Sequence, residues 1–462
     1  MSKKIGKQTL KLDTKPRLIS TYSIVGPKEG EGPLNMYFDK IIQDDLAGKD
    51  SFEKAESNLL YTAVIESIKS ANLKEDDIDI LFAGDLLNQL SSSSFAARDM
   101  NIPFIGLYGA CSTMSESLAM AAITVDGNFA NNVVAATSSH FSSAERQFRY
   151  PLEFGAQRHP SAQWTVTGSG ATVLSREGNF PYITYVTIGK VKDYGITDVN
   201  NMGAAMAPAA VSTICNHFKD TGRTPKDYDV IATGDLGKVG KKITLELLKD
   251  NGYDITSNYI DCGEEIFNNE EQGTSSGGSG CGCSAVVFCG YLYKKLMEGK
   301  FKRILLVSTG ALLSTTSSLQ GESIPGIAHA ISIEYGTGGK WYMINDYIMA
   351  FLVGGAICVI AQILINKTNF TPARILVTFV TIGVILGALN IYDVVVDIGK
   401  AGATVPLPGF GFNLAKSTIK EVNEKGFIGI FTGGMKGSAG GITAAIVFGY
   451  LMAVIFNPKT KE

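Results

Sequence analysis

The residues best placed to do chemistry lie in Phe104 to Met120, F-I-G-L-Y-G-A-C-S-T-M-S-E-S-L-A-M, where one cysteine stands between a strand pattern and a helical one. A thiol at a helix start faces free N–H groups and the positive end of the helix dipole, which lowers its pKa and favours an anion beside it. Cys111 is therefore a candidate nucleophile or anion contact, with Ser112 next to it. Gly109, Ala110 and Ser112 are small enough for backbone and ligand to come close. The competing reading is a small buried hydrophobe, the ordinary fate of a free cysteine.

The surrounding elements must hold that thiol. Ser51 caps a helical pattern with apolar residues at Phe52, Ala55, Leu59, Leu60, Ala63, Val64 and Ile68. An apolar strand, Ile78 to Ala83, ends in Gly84-Asp85, and ligands in open α/β sheets collect at such ends. The helix begun at Cys111 runs to about Val125, and Asn132 to His140 reads as a buried strand that empties into small polar residues. His140 is one of four histidines, structural or functional by its place at that strand end. Arg146 and Arg149 could meet a carboxylate ligand or surface acids. Before all of these, Val25 to Leu34 is a Gly/Pro-rich loop whose charges make it solvent-facing.

A repeat organises the first two thirds of the chain. Cys111 to Thr137 lies over Cys283 to Thr309 without a gap, with Cys, Ser, Gly127/Gly299, Phe129/Phe301 and Thr137/Thr309 coinciding. Upstream, I-D-I-L-F-A-G-D-L (Ile78 to Leu86) matches Y-D-V-I-A-T-G-D-L (Tyr228 to Leu236). Each half is strand, Gly-Asp, Gly-Cys-Ser-helix, strand, so each predicts an α/β sheet covered by helices, and pseudo-twofold packing brings both helix starts to the centre.

A duplicated α/β unit with a cysteine opening a central helix resembles the thiolase and ketoacyl-synthase fold. The runs V-G-P-K-E, F-A-G-D-L-L-N-Q, G-A-C-S-T, T-S-S-H, A-E-R-Q-F-R-Y-P, T-V-T-G-S-G-A, M-G-A-A-M-A-P-A-A and G-G-S-G-C-G-C-S-A-V-V are similar, in order and spacing, to the stage V sporulation protein AD family over residues 1–335. That resemblance implies binding of pyridine-2,6-dicarboxylate (dipicolinate), free or as its calcium chelate, and its movement into and out of bacterial spores. It also implies a homo-oligomer and other membrane proteins of the same spore system as partners. Condensing enzymes add a histidine after the second-half strand and an asparagine in the glycine-rich turn. Here those places read T-G-D-L, with Gly234 and Asp235, and G-T-S-S-G-G-S-G-C-G-C, Gly273 to Cys283. A carboxylate near a forming enolate repels it, so the expectation is a binding protein without condensing activity; the rival is a membrane-tethered, Cys-dependent acyltransferase or ketoacyl synthase. A third reading is a scaffold that only docks partners. The expected ligand contacts are Asp85, Cys111, Ser112, His140, Gly278, Gly280 and Cys283, about a pocket between the Cys111 helix start and the turn Gly277 to Gly282.

Composition bounds the rest. The net charge of −3 over 462 residues, with no basic block interleaved with aromatics, argues against nucleic acid. The N-terminal M-S-K-K-I-G-K-Q-T-L carries no apolar h-region, so no secretory signal is read and the first domain is expected in the cytosol. The seven cysteines lack the paired spacing of a zinc site; Cys281-Gly-Cys283 is a weak signal, and no metal or cofactor is expected. Past Ile327 to Tyr335, taken as the last strand with His329 facing the core, comes a linker over 336–346. A membrane domain over 347–462 follows, in contact with lipid, with about three transmembrane helices: Ile348 to Ile365, Ile375 to Ile391 and Gly437 to Phe456. Asp397 to Phe412 is too broken by Gly and Pro for an ordinary helix, and reads as a re-entrant segment or a surface loop. G-K-A-G-A-T-V-P and G-I-T-A-A-I-V-F-G resemble the stage V sporulation protein AE family, so the chain reads as a fusion, set in the forespore or spore inner membrane with its soluble domain on the cytoplasmic side.

Overall fold

Strands that are apolar on both faces must be covered on both, and that requirement explains the first unit of the chain. The computed structural model describes residues 3–148, 158–179, 181–335, 339–368 and 370–455. Close contacts divide it into Met1–Thr337 and Gly338–Glu462. The first unit carries β1 (Lys4–Ile5), β2 (Thr9–Lys11), β3 (Arg17–Val25), β4 (Lys40–Ile41), β5 (Ile80–Gly84), β6 (Phe104–Gly106), β7 (Asn132–Ser139) and β8 (Trp164–Thr165). It continues with β9 (Gly168–Ser175), β10 (Tyr182–Thr187), β11 (Val230–Thr233), β12 (Tyr259–Asp261), β13 (Gly278–Ser279), β14 (Arg303–Ala311) and β15 (Gly326–Glu334).

The main sheet runs β12-β11-β14-β15-β10-β3-β9-β7-β5-β6. Its two halves are copies: β6, β5, β7, β9 and β3 answer to β12, β11, β14, β15 and β10. The halves are joined by the single pairing of Tyr182 with Arg17. In each half the three outer strands are parallel and the inner ones antiparallel.

Alternation along the strands sets the layers. Val133 and Ala135 of β7 pack with the central helices Thr113–Asp126 and 281–297, whereas Val134 and Ala136 pack with the outer helix Phe52–Ser70. In β14, Ile304 and Leu306 face the centre, while Leu305 and Val307 face the outer helix Met202–Thr221. The result is the α/β/α/β/α order of the thiolase-like fold. Ser51 caps its helix as expected, its side chain accepting from the Lys54 N–H at 3.3 Å.

Several expectations are corrected. The Val25 to Leu34 loop is not wholly solvent-facing, because Glu29 is only 1 % exposed and accepts from the Thr167 N–H at 3.0 Å. Burial pushes its carboxyl up to about 8. His329 is half-buried rather than fully core-facing, and accepts from the Gly189 N–H.

In the second unit the helix Gly339–Lys367 begins inside the expected linker; residues 336–338 lie outside the described ones. Among the described residues one helix, Tyr347–Lys367, is long and apolar enough to cross a membrane, with Pro372–Ala388 a shorter apolar helix. The last helix is Gly429–Ile455, starting eight residues before the expected span; Phe456 lies outside the described residues. Asp397 to Phe412 is helical for most of its length. Ala401–Thr404 is one turn, and Leu407–Lys425 is a helix with Pro406 as its N-cap and Pro408 in its first turn, where a missing N–H costs nothing.

The glycines that argued against a helix serve close packing instead. A Cβ on Gly383 would fall 2.0 Å from the Pro408 carbonyl oxygen, and one on Gly411 2.1 Å from that of Val380. Gly429, Gly433 and Gly437 form a second stripe, each against Glu421, Thr418 and Ser417 in turn. Gly383→Val should therefore separate Pro372–Ala388 from Leu407–Lys425 and lower the stability of the detergent-solubilised tail by about 1–3 kcal/mol, read by thermal unfolding; an unchanged midpoint would contradict this packing.

Candidate functional site

Strand β6 hands the chain through Leu107 to Ala110, a loop closed by short-range bonds. Ala110 has φ +51°, and a Cβ on Gly109 would lie 2.4 Å from Glu116 Oε2, so a side chain there would have to displace Glu116. The loop rests on β14 of the other half, at a point where a Cβ on Gly310 would meet the Gly109 carbonyl oxygen at 2.3 Å. Cys111 emerges from this loop just before the Thr113–Asp126 helix and is 6 % exposed.

It forms part of the wall of a cleft with Tyr108, Glu145, Phe148, Thr165 and Ser279. The cleft measures about 420 Å³, open solvent at its mouth included, and is narrow. A ligand larger than a few atoms enters only if wall side chains turn aside. Glu145 is ion-paired with Arg158 at 3.6 Å and accepts from Thr165 Oγ1 at 3.1 Å. Arg158 also lies over the ring of Trp164, 4.8 Å from its centroid.

Beneath Cys111 sits Asp235, fully buried at the end of β11. Its Oδ1 accepts from Thr309 Oγ1 at 2.8 Å; its Oδ2 accepts from the Gly280 N–H at 3.0 Å and Ser279 Oγ at 3.2 Å. The charge of this carboxyl acts on the nearby Cys111 thiol. Burial outweighs these donors and pushes Asp235 up to about 7. The same surroundings reverse the expectation for the thiol: burial first, then the Asp235 charge, hold Cys111 well above the ordinary cysteine value, despite its place before a helix. The helix dipole is a weak partial charge, whereas the loss of water around a buried thiolate is a large cost.

Of the seven expected contacts, the cleft wall includes Cys111. Asp85 is fully buried and turned away, accepting from the Leu87 N–H (2.8 Å), the Ser93 N–H (2.7 Å) and Ser93 Oγ (2.6 Å). Ser112 Oγ donates to the Gly109 carbonyl at 2.7 Å. His140 bonds the Asp45 carbonyl through Nε2 (2.8 Å), and its Nδ1 accepts from the Ser142 N–H, which fixes the Nε2–H tautomer; burial lowers its pKa. Gly278 pairs in β13 with β8, and its carbonyl accepts from Gln163 Nε2 at 2.9 Å. Gly280 spends its N–H on Asp235 at φ +98°, and Cys283 Sγ points to the Gly234 carbonyl at 3.5 Å. Arg146 pairs with Glu53, and Arg149 lies outside the described residues.

Sequence reasoning passed over Tyr108, Glu145, Thr165 and Ser279, and did not count Asp235 among the contacts. The signal for Asp235 was present, since it is the repeat mate of Asp85. Among the described residues no group of three or more His, Cys, Asp and Glu is placed to hold a metal.

The family model for Stage V sporulation protein AD (SpoVAD) matches residues 6–334, and that for SpoVAC/SpoVAEB sporulation membrane protein matches residues 346–455. Stage V sporulation protein AD of Bacillus subtilis (strain 168) is 48% identical over 335 residues, covering 72% of this chain and 99% of that protein. Stage V sporulation protein AC of the same organism is 30% identical over 118 residues, covering 23% of this chain and 77% of that protein. Among solved structures, 3-oxoacyl-[acyl-carrier-protein] synthase III from Aquifex aeolicus VF5 is similar with a TM-score of 0.42 at 13% identity, over 69% of this chain and 100% of that one.

The raised thiol has a measurable consequence. In the native protein near neutral pH, iodoacetamide should label the half-buried Cys215 before Cys111, with Cys111 reacting at the same rate after unfolding, as read by peptide mass spectrometry. Rapid native alkylation of Cys111 would mean a thiolate there.

Proposed function

Because the chain belongs to the stage V sporulation protein AD family and carries a SpoVAC/SpoVAEB-type membrane domain behind it, we propose that its soluble part binds dipicolinate without transforming it and that its tail forms part of the membrane pathway. It is a sporulation protein with a membrane component. The observation that carries the binding reading is the cleft itself. Thr165 and Ser279 bring hydroxyl groups to its wall, spent on Glu145 and Asp235 while it is empty, Cys111 brings a thiol, and Tyr108 and Phe148 offer aromatic walls to a planar ring.

The enzyme reading is less well supported. A condensing nucleophile works as a thiolate, yet Cys111 is held protonated by burial and by Asp235. None of the four histidines belongs to the cleft wall. The place after β11 holds Asp235, and the turn Gly273 to Cys283 contains neither His nor Asn. Calcium chelated by the ligand would moderate repulsion from Glu145, so the chelate is an alternative cargo. The soluble part works as a homo-oligomer alongside other membrane proteins of the same spore system, in the forespore or spore inner membrane.

Equilibrium binding of dipicolinate to the detergent-solubilised full chain tests this. Cys111→Leu should abolish binding and leave the unfolding midpoint near that of the wild type, whereas Cys111→Ser should bind. No covalent Cys111 adduct should form with acyl-CoA. Normal binding by the Leu variant would place the pocket elsewhere, and an acyl adduct with condensing turnover would favour the enzyme.

Orientation follows from charge. The stretch after the first tail helix carries Lys367 and Arg374, and that from 400 to 436 carries Lys400, Lys416, Lys420, Lys425 and Lys436; Lys459 and Lys461 lie outside the described residues. Basic residues stay on the cytoplasmic side, which puts the richer segment and the soluble domain there in a three-span arrangement. Single cysteines near Lys367 and near Lys420 should label from opposite sides with an impermeant maleimide, the former from outside; labelling of both from one side would exclude that topology.

A further inference from the structure

A carboxylate placed directly behind the donors of an anion site is an obstacle to the anion, unless its charge can be removed. Asp235 is such a group. Of the hydrogen-bonding side chains in the cleft wall, Ser279 turns its hydrogen inward to it, at 3.2 Å. While Asp235 is ionised it accepts from Ser279 Oγ, and the cleft is left facing the lone pairs of that oxygen. Among the described residues no lysine or arginine pairs with it, so its charge is balanced by dipoles: the Gly280 N–H, Thr309 Oγ1 and Ser279 Oγ.

We propose that Asp235 takes up one proton when a dicarboxylate enters the cleft, so that its new O–H donates to Ser279 Oγ and releases the Ser279 hydroxyl to donate to the ligand. The balance is simple. One proton comes from solvent, no bond other than hydrogen bonds is made or broken, and one unit of negative charge is removed behind the entering anion. Asp235 acts through Ser279 and is a positioning residue. This rests on the binding reading given above.

The titratable neighbours of Asp235 are four thiols and the carboxyls of Asp261 and Glu145, and burial raises Asp261 as well. From the loop before the Thr113–Asp126 helix it faces Cys111; from the 281–297 helix, Cys281 and Cys283; from the short helix Cys262–Glu265, Cys262. All four thiols are held well above the ordinary cysteine value by burial and stay protonated. From β12 it faces Asp261, which accepts from Thr233 Oγ1 (2.7 Å) and from the N–H groups of Leu236 (2.9 Å), Gly237 (2.9 Å) and Glu264 (3.2 Å). Across the cleft Glu145 is paired with Arg158. Asp235 itself, at about 7, is already partly protonated in the empty protein near neutral pH. The sign follows: an anion beside it raises that value further, so affinity is highest below it and falls as pH rises through it.

The experiment is titration calorimetry of the detergent-solubilised full chain with dipicolinate from about pH 6 to about pH 9, where the ligand's own carboxyl groups stay ionised. Buffers of different ionisation heats count the protons taken up. Wild type should lose affinity about tenfold per pH unit above its break, with uptake approaching one proton. Asp235→Asn, whose side-chain amide donates permanently, should bind with no pH dependence over this range and no uptake, and Ser279→Ala should bind more weakly at every pH. A flat wild-type profile without uptake, or an unchanged slope in Asp235→Asn, overturns the proposal and leaves the binding reading standing. No binding by wild type at any pH overturns the binding reading, and this proposal with it.

Discussion

The burial of Asp235 without a countercharge is the constraint on which the centre of the soluble domain depends. A lone buried carboxylate is costly, and the protein offsets that cost with donors drawn from separate elements: Thr309 from β14, and Gly280 and Ser279 from the glycine turn. Each of those donors is thereby fixed in place. The positive φ at Gly280 exists so that its N–H can turn toward the carboxyl, and β13 is held beside β8 by the same turn. The Cys111 loop closes the arrangement from the opposite half, pressed on Gly310 so closely that no side chain fits between.

The repeat made the architecture legible. Matching strand, Gly-Asp and Gly-Cys-Ser-helix segments can bury their two-sided apolar strands only by sharing a central helix layer, and the alternation of Val133 and Val134 between two cores is that sharing seen residue by residue. The repeat also located the meeting point of the two helix starts. What it could not supply is where each hydrogen bond goes. Asp85 and Asp235 are sequence mates in equivalent strands, yet Asp85 is consumed by Ser93 and Leu87 while Asp235 reaches the cleft wall. That difference is set by loops that the repeat does not share.

Local rules failed where desolvation competed with them. A cysteine before a helix reads as an acidic thiol, because the dipole is visible in sequence and the depth of burial is not. Glu29 in a Gly/Pro-rich loop reads as solvent-facing for the same reason, and it is buried against Thr167. In the tail, V-P-L-P-G-F-G reads as a break because proline and glycine are counted as helix breakers. Their positions decide otherwise: Pro406 and Pro408 fall at a helix start, where no N–H is missed, and Gly411 falls where the neighbouring backbone comes within the space of a side chain.

Joining the two families in one chain changes how they can work together without adding any contact. Two separate proteins find each other at their bulk concentration, whereas a tethered pair sees an effective concentration of about a millimolar for a short flexible connection. On the proposed reading, ligand-binding unit and membrane tail are therefore present at a fixed one-to-one ratio. Such an arrangement tolerates weak binding, because capture need only last until transfer. A cleft whose affinity falls when one buried carboxyl loses its proton, as proposed for Asp235, would suit that demand better than a deep, rigid, cationic pocket, which would hold a dianion too firmly to pass it on.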